Sequence, residues 1–300
     1  MKNKIMRFQV ALLITTILFI GLTSVVSANS APLTTQLCMV IDGSGSISSD
    51  SWTIIVQGVA DAIRNNLPHD GSVELAVVQF AGDLLENASI EVAPTVIVDD
   101  SVAETVASQV EAMTQGGGLT PMAHGLYLGW KIIKGSPNFS PDLKQIINLA
   151  TDGVPNVRNH NATSDLDGDL DTDEYDDVIQ VVNDAVSEGL DELDIEGIAI
   201  KDSDREWFQN YVVRPQPGHL APPYIPGWIR VVANATEFSD AIGEKFTVIF
   251  ESPPPTTTPV GGFVVQNKFN VIPWIGLVSL ITSTVISAIY LKNIKNRKRQ

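Results

Sequence analysis

Hard oxygen donors are concentrated in one short run near the start of the chain. Asp42, Ser44 and Ser46 alternate with glycines directly after an apolar segment. A carboxylate and two hydroxyls at this spacing suit Mg²⁺, Mn²⁺ or Ca²⁺ rather than zinc, and the glycines let the backbone curl around an ion. A turn that caps a helix is the alternative interpretation. A phosphate-binding loop is excluded, because neither glycine-rich phosphate motif occurs here.

Short apolar runs alternate with amphipathic ones along most of the chain. The pattern predicts strands over residues 35–41, 72–80, 90–98, 144–150, 195–200 and 229–232. It predicts helices over residues 49–66, 100–113, 121–134, 176–188, 202–212 and 236–250. Such alternation predicts an α/β fold with a doubly wound, mostly parallel, Rossmann-like sheet and helices on both faces. Ligands of these sheets bind at the carboxyl ends of strands, where Asp42 would lie.

Two later residues complete a pattern with this run. Thr120 follows the three glycines 116–118 and opens a predicted helix, and Asp152 ends a predicted strand. Asp42-x-Ser44-x-Ser46, Thr120 and Asp152, in this order, resemble the metal-ion-dependent adhesion site of von Willebrand factor A (vWA) domains. The resemblance covers residues 35–250 and is greatest to a prokaryotic, membrane-anchored branch of the family.

The resemblance implies roles for the five residues. Ser44 and Ser46 would ligate a divalent cation (Mg²⁺, Mn²⁺ or Ca²⁺) directly. Asp42 and Asp152 would ligate it directly or through water, and Thr120 would change between the two modes as ligand binds. An Asp or Glu of a protein partner would fill the open coordination position. The expected function is therefore metal-dependent protein binding or adhesion, without enzymatic activity.

An acidic insertion at residues 158–176 contains a second set of candidate ligands. Its carboxylates at calcium-loop spacing are Asp165, Asp167, Asp169, Asp171 and Glu174. A twelve-residue loop counted from Thr163 has Gly168 at place six and Glu174 at place twelve, as in an EF-hand. Thr163 replaces the usual first Asp, and the preceding helix is missing. We therefore predict a lone calcium loop, with a solvated loop without an ion as the alternative.

Both ends of the chain predict export and a membrane anchor. Residues 1–28 combine a basic start, an apolar stretch and a small-residue cleavage pattern, which is typical of a signal peptide; an uncleaved anchor is the alternative. After a Pro/Thr-rich spacer (252–270), the uncharged residues 271–291 are long enough to cross about 30 Å of hydrocarbon as a helix. The basic tail (292–300) would be cytoplasmic. The prediction is a single-pass cell-membrane protein with an extracellular domain over residues 29–251.

The predicted extracellular part is strongly acidic. All 35 acidic residues lie between residues 29 and 270, but only 11 of the 19 basic ones do, which leaves 24 net negative charges. Such a charge argues against a nucleic-acid partner. Cys38, the single cysteine, excludes an intrachain disulfide and lies in an apolar run where burial is expected. Candidate N-glycosylation sites are Asn87, Asn138, Asn161 and Asn234.

Two other classes of function compete with surface binding. An assembly or regulatory subunit would bind a constant partner in the same membrane through the same metal. A metal-dependent hydrolase is disfavoured, because no general base or nucleophile is placed near the predicted ion. His124 lies one helical turn after Thr120, but no serine–histidine–acid spacing accompanies it, and a packed histidine is the better interpretation.

Overall fold

Seven strands and six helices make up the part of the chain that the computed structural model describes, which is residues 30–82, 88–158 and 160–251. The strands are β1 (Thr35–Asp42), β2 (Val73–Phe80), β3 (Ala88–Val96), β4 (Lys144–Thr151), β5 (Glu192–Ile198), β6 (His219–Leu220) and β7 (Trp228–Val232). The helices are α1 (Ser49–Asn65), α2 (Asp100–Glu111), α3 (Met122–Lys134), α4 (Glu174–Ser187), α5 (Asp202–Trp207) and α6 (Ala235–Glu251). A π-helical turn, Phe208–Val212, follows α5.

The strands form one sheet in the order β3-β2-β1-β4-β5-β7-β6. Every pairing is parallel except that of β2 with β3. The chain runs outward from β1 to β3 and then returns to place β4 on the other side of β1. The strand order therefore reverses between β1 and β4, and ligands of open α/β sheets bind at such a reversal. This topology confirms the predicted mostly parallel α/β fold.

Helices cover both faces of the sheet. The alternating side chains of β1 point to opposite faces, so that Met39 and Cys38 join different cores. Helices α1, α2 and α6 pack on the Met39 side, whereas α3 and α4 pack on the Cys38 side. Strands β1 and β2 are buried along their whole length, which explains their mostly apolar sequences. Cys38 is buried, as predicted.

Local sequence signals explain where the helices next to the sheet's carboxyl edge begin. Ser48 precedes α1, and its hydroxyl accepts a hydrogen bond from Ser51 N at 3.2 Å. The Asp173 side chain caps α4 by accepting hydrogen bonds from Tyr175 N and Asp176 N, and the Asp176 carboxylate accepts one from Asp173 N. This cap moves the start of α4 to Glu174, two residues before the predicted start. Strand β3 is an antiparallel edge strand with irregular register, consistent with Pro94 inside it.

Strand β5 is the element whose prediction was most clearly wrong. It spans Glu192–Ile198 rather than residues 195–200. The predicted strand begins too late because three of the first five residues of β5 are acidic and yet buried. Apolar patterning cannot identify a strand of this kind. The strand ends before Ala199, which has a positive φ of 55°. The two-residue strand β6 was also not predicted.

Several predictions concern residues outside the described part. The signal peptide (1–28), the spacer (252–270), the membrane span (271–291) and the basic tail (292–300) all lie there, as does Asn87. Within the described ranges, no helix combines the length and the apolar character that crossing a membrane requires.

Candidate metal-binding site

Asp42 lies at the base of the candidate site, at the carboxyl end of β1. Its side chain is fully buried. Oδ1 accepts a hydrogen bond from Ser44 N at 2.9 Å, and Oδ2 accepts one from Thr151 Oγ1 at 2.7 Å. Thr151 is the last residue of the neighbouring strand β4, so the two strand ends are joined at the point where the sheet order reverses. The carboxylate is thereby held in one orientation.

Two carboxyl groups of the site have raised pKa values. Burial raises the pKa of Asp42 from 3.8 to about 6, and hydrogen bonds from Ser44 and Thr151 offset part of this rise. Burial also raises the pKa of Asp152 above its ordinary value. Each carboxylate therefore lacks part of the stabilisation that water would give it. A cation bound between them would restore this stabilisation.

Three side-chain oxygens lie next to one another above Asp42. Ser44 Oγ is 3.0 Å from Ser46 Oγ, and Ser46 Oγ donates to Asp152 Oδ1 at 2.8 Å. In an octahedron with Mg²⁺–O bonds of about 2.05 Å, neighbouring ligand oxygens are about 2.9 Å apart. The observed separations match this value, and every donor is a hard oxygen. The residues therefore fit a small divalent cation.

The glycine-rich loop that carries Thr120 packs directly against the Asp42–Ser46 loop. Gly45 N donates to Gly118 O at 2.9 Å, and Gly117 N donates to Gly43 O at 2.9 Å. Gly118 has a φ of 79°, and a Cβ there would lie 2.9 Å from Gly82 O, so only glycine fits. Thr120 is buried two residues later. The structure thus brings Thr120 to the same edge of the sheet as the other four predicted residues.

Four polar residues that the sequence analysis missed hold these loops in place. Gln115 Nε2 donates to the carbonyls of Ser44 and Ile47 at 2.9 and 2.7 Å. Gln79 Oε1 accepts a hydrogen bond from Gly116 N at 2.7 Å, and Asn156 Oδ1 accepts one from Thr120 N at 2.7 Å. Thr151 is the fourth, through its hydrogen bond to Asp42. A signal was present for two of them, because Gln79 and Thr151 are polar residues at the ends of buried strands. Gln115 and Asn156 lie in loops and carried no such signal.

The domain that carries this site matches a known protein family. The sequence profile of the von Willebrand factor type A domain matches residues 36–208, which is more than half of the chain. The chain belongs to the von Willebrand factor type A domain family. Among curated protein sequences, none is significantly similar to this VWA chain.

Solved structures confirm the VWA fold. The pilus adhesin SpaC from Lactobacillus rhamnosus GG is similar with a TM-score of 0.55 at 16% identity, over 73% of this chain and 30% of SpaC. Proximal thread matrix protein 1 of the mussel byssus is similar with a TM-score of 0.51 at 14% identity, over 72% of this chain and 48% of that protein. The latter has also been solved with a zinc-occupied MIDAS motif, with a TM-score of 0.50 at 14% identity, over 72% and 48% of the two chains. The chain thus spans less than half of each relative's length.

A cavity of about 390 Å³ adjoins the site of this VWA domain. Ser46 and Asp152 form part of its wall, and Ile55 of α1, Ile198 of β5 and Asn234 form other parts. Leu119, which precedes Thr120 in the chain, is 42% exposed. The edge of the sheet that carries the ligand oxygens therefore also has a concave surface and an exposed apolar side chain.

The acidic insertion brings its carboxylates together in two groups. Asp165, Asp167 and Asp169 offer oxygens within 4.8 Å of one another, and so do Asp169, Asp171 and Asp173. Glu174, the predicted twelfth ligand, belongs to neither group and is the first residue of α4, whereas Asp173 belongs to the second group. Calcium binding by the loop, including Glu174, stays a prediction.

Buried acidic residues of α4 order the insertion. Asp176 is fully buried and accepts hydrogen bonds from Leu166 N and Asp173 N. Asp177, also fully buried, accepts from Ala162 N at 2.6 Å. Gly168 and Leu170 adopt positive φ angles of 87° and 83°. The loop is thus tied to the domain beside Asp152 by hydrogen bonds that do not need an ion.

Three sequon asparagines are in the described residues. Asn161 is exposed in the acidic insertion. Asn138 Nδ2 donates to the buried Glu74 at 2.7 Å. Asn234 Oδ1 caps α6 by accepting from Glu237 N at 3.0 Å. Of these three asparagines in the described part of the chain, Asn161 is the one for which no side-chain hydrogen bond is seen. Its glycosylation stays a prediction.

His124 packs against aromatic neighbours. Its ring meets the Tyr127 ring edge-on with centroids 6.3 Å apart, and Tyr127 in turn contacts His160 at 5.1 Å. Burial lowers the pKa of His124, and the nearby His160 adds to this effect. These contacts are those of the packed histidine predicted from the sequence.

Proposed function

We propose that this VWA chain is a cell-surface binding protein that captures an acidic group of a partner protein through a divalent cation. The observation that carries the proposal is the row of oxygens from Ser44, Ser46 and Asp152, spaced at 3.0 and 2.8 Å above the buried Asp42. Asp42, Ser44, Ser46, Thr120 and Asp152 would hold Mg²⁺, Mn²⁺ or Ca²⁺. The bound ion would supply a coordination position for a carboxylate oxygen of the partner.

The chain's own residues prepare the site for such a partner. Gln115 and Thr151 fix the Ser44 carbonyl and the Asp42 carboxylate, so that few groups must reorganise when a ligand arrives. Only two of the five proposed ligand residues are carboxylates, which leaves positive charge on the ion for a third carboxylate from outside. The cavity beside Ser46 offers space for a neighbouring side chain of the partner.

The names of two similar structures agree with this proposal. One is a pilus adhesin and the other is a matrix protein of a byssal thread, with zinc in its MIDAS motif in one crystal structure. The sequence of this chain adds a signal peptide at residues 1–28 and a membrane span at residues 271–291, both still predictions. We propose a single-pass location with the VWA domain outside the cell and without enzymatic activity.

Binding of full-length chain displayed on cells tests the proposal. The targets are immobilised proteins in two matched forms, with carboxylates intact or converted to amides. We expect binding to intact targets in Mg²⁺, and its loss with EDTA, with amidated targets and with Ser46→Ala. Ser101→Ala, an exposed serine on α2, is the control and should bind normally.

Equal binding to both target forms, or undiminished binding by folded Ser46→Ala protein, would overturn the proposal. A metal-dependent interaction with one constant, stoichiometric membrane protein, in the absence of binding to external targets, would instead indicate the assembly or regulatory subunit.

A further inference from the structure

A lysine, an asparagine and two carboxylates meet in the core beneath α6. Lys245 of α6 is 1% exposed, and its Nζ lies 3.2 Å from Asp194 Oδ2 and 3.2 Å from Glu196 Oε1 of β5. The same Nζ donates to Asn148 Oδ1 of the adjacent strand β4. Asn148 pairs with Asp194 in the sheet register, so these side chains share the face that α6 covers.

This cluster is not a balanced ion pair. Two carboxylates face one ammonium group, and Asn148 Nδ2 makes no hydrogen bond of good geometry although it is buried. Buried polar groups without such partners are costly. The Asn148 amide contacts the lysine nitrogen through Oδ1 and lies next to Glu196 in a dry environment.

We propose that Lys245 and Asn148 join through an intramolecular isopeptide bond between Nζ and Cγ, with Glu196 as the proton carrier. Glu196 takes a proton from the Lys245 ammonium group. The freed lone pair attacks Asn148 Cγ, and the tetrahedral intermediate collapses when Glu196 returns its proton to Nδ2. The Cγ–Nδ2 bond breaks, ammonia leaves and carries away the second Nζ proton as ammonium. One lysine ammonium and one amide thus become one amide and one ammonium ion, without an oxidant or a cofactor.

The two carboxylates have different roles in this step. Asp194 Oδ1 accepts hydrogen bonds from Gly227 N at 2.9 Å and Trp228 N at 3.0 Å, so Asp194 is held in place and positions Lys245 through Oδ2. Glu196 interacts with both reacting side chains. Burial raises its pKa, which favours accepting a proton from the ammonium group.

The surroundings favour the bond and protect it. The Trp228 ring lies 4.8 Å from Lys245 Nζ and is 2% exposed. Water is thereby excluded from the new amide. The cross-link would join residues 97 positions apart, connecting α6, the last described helix, to β4, which leads directly to Asp152. It would supply the covalent staple that a chain with one cysteine cannot obtain from a disulfide.

Tandem mass spectrometry of the full chain, digested under denaturing conditions, tests the proposal. We expect the peptides containing Asn148 and Lys245 to be recovered as one linked species, lighter than their sum by one ammonia. Asn148→Asp should give the same link with loss of one water instead. Glu196→Gln, which preserves side-chain size, should release two separate peptides, whereas Lys201→Arg, a change at an exposed lysine, should leave the link intact.

Recovery of both wild-type peptides in separate, unmodified form would overturn the proposal, and this result does not depend on the folding of any variant. A link that persists fully in Glu196→Gln would overturn the role of Glu196. Neither outcome bears on metal binding, because the cluster and the metal site share no residue.

Discussion

Ser46 Oγ donates a hydrogen bond to Asp152 Oδ1 at 2.8 Å, although the two residues are 106 positions apart in the chain. One follows β1 and the other follows β4, and these strands are neighbours where the sheet order reverses. The contact therefore assembles a hard-oxygen site from two loops that the fold alone brings together. Its consequences can be tested separately.

Asp42→Asn should separate stability from metal binding. The buried carboxylate, with its pKa raised to about 6, destabilises the metal-free protein at neutral pH, and an uncharged amide removes this cost. The pKa rise corresponds to about 3 kcal/mol, and an amide loses one of the two hydrogen bonds that the carboxylate accepts, so we expect the unfolding free energy of the metal-free variant to exceed that of wild type by about 2 kcal/mol. Its Tm should no longer respond to Mg²⁺. Thermal melts measure this. The Tm of wild type and of Asp240→Asn, a control at an exposed residue, should still rise with Mg²⁺. A Tm of Asp42→Asn that also rises with Mg²⁺ would contradict the assignment of Asp42 to the metal site.

Metal affinity should depend on pH through the same carboxyl. Because folding raises the Asp42 pKa from 3.8 to about 6, the folded state binds more protons than the unfolded state within this window. The Asp42 contribution to metal-free stability therefore falls as pH rises from 3.8 to 6. Mg²⁺ competes with the proton, so its stabilising effect should grow across the window and level off above it. Melts from pH 4 to 8, with and without Mg²⁺, measure both trends; a Mg²⁺ effect independent of pH would contradict them.

Gln115→Ala should weaken the site without removing a ligand. Its side-chain amide holds the carbonyls of Ser44 and Ile47, and loss of both hydrogen bonds should lower stability by about 1–3 kcal/mol. Mg²⁺ affinity, measured by calorimetry, should fall because the Asp42–Ser46 loop becomes less ordered. Gln57→Ala removes hydrogen bonds of an exposed glutamine on α1 and should leave the affinity unchanged. Equal affinities for the two variants would exclude this role of Gln115.

Gly43→Ala tests how tightly the loops are packed. A Cβ at Gly43 would overlap the Gln79 side chain, which binds Gly116 N of the Thr120 loop. We expect a loss of about 1–3 kcal/mol in unfolding free energy and weaker Mg²⁺ binding. Gly153 is the matched control, since it follows Asp152 but a Cβ there meets no atom within 4 Å. If both substitutions are tolerated equally, the loop contact does not matter for binding.

The elements around the metal site were predictable from sequence because their patterns are local. Buried strands such as β1 have continuous apolar runs, and Ser48 marks the start of α1 next to Ser46. Three motifs at strand and helix ends then indicated that Asp42, Thr120 and Asp152 would meet. The family match and the sheet order bear out the fold, and the five residues lie at one edge of the sheet.

The parts that sequence reasoning missed depend on contacts between distant residues. Asp194 and Glu196 of β5 lie in the core against Lys245, which comes some fifty residues later in the chain. Gln115 and Asn156 serve the site through backbone groups of other loops, and nothing in their local sequence indicates this. The capping of α4 by Asp173 and Asp176, which makes Glu174 the first residue of the helix, was not recognised from the sequence either.

A crystal of the VWA domain soaked in Mn²⁺ and measured at the manganese absorption edge tests the central claim most directly. We expect an anomalous peak bonded to Ser44 Oγ and Ser46 Oγ, adjacent to Asp42 and Asp152, and its absence in Ser46→Ala crystals. An empty site between these residues in wild-type crystals, with manganese bound only in the acidic loop of Asp165 to Asp173 or nowhere, would contradict the account.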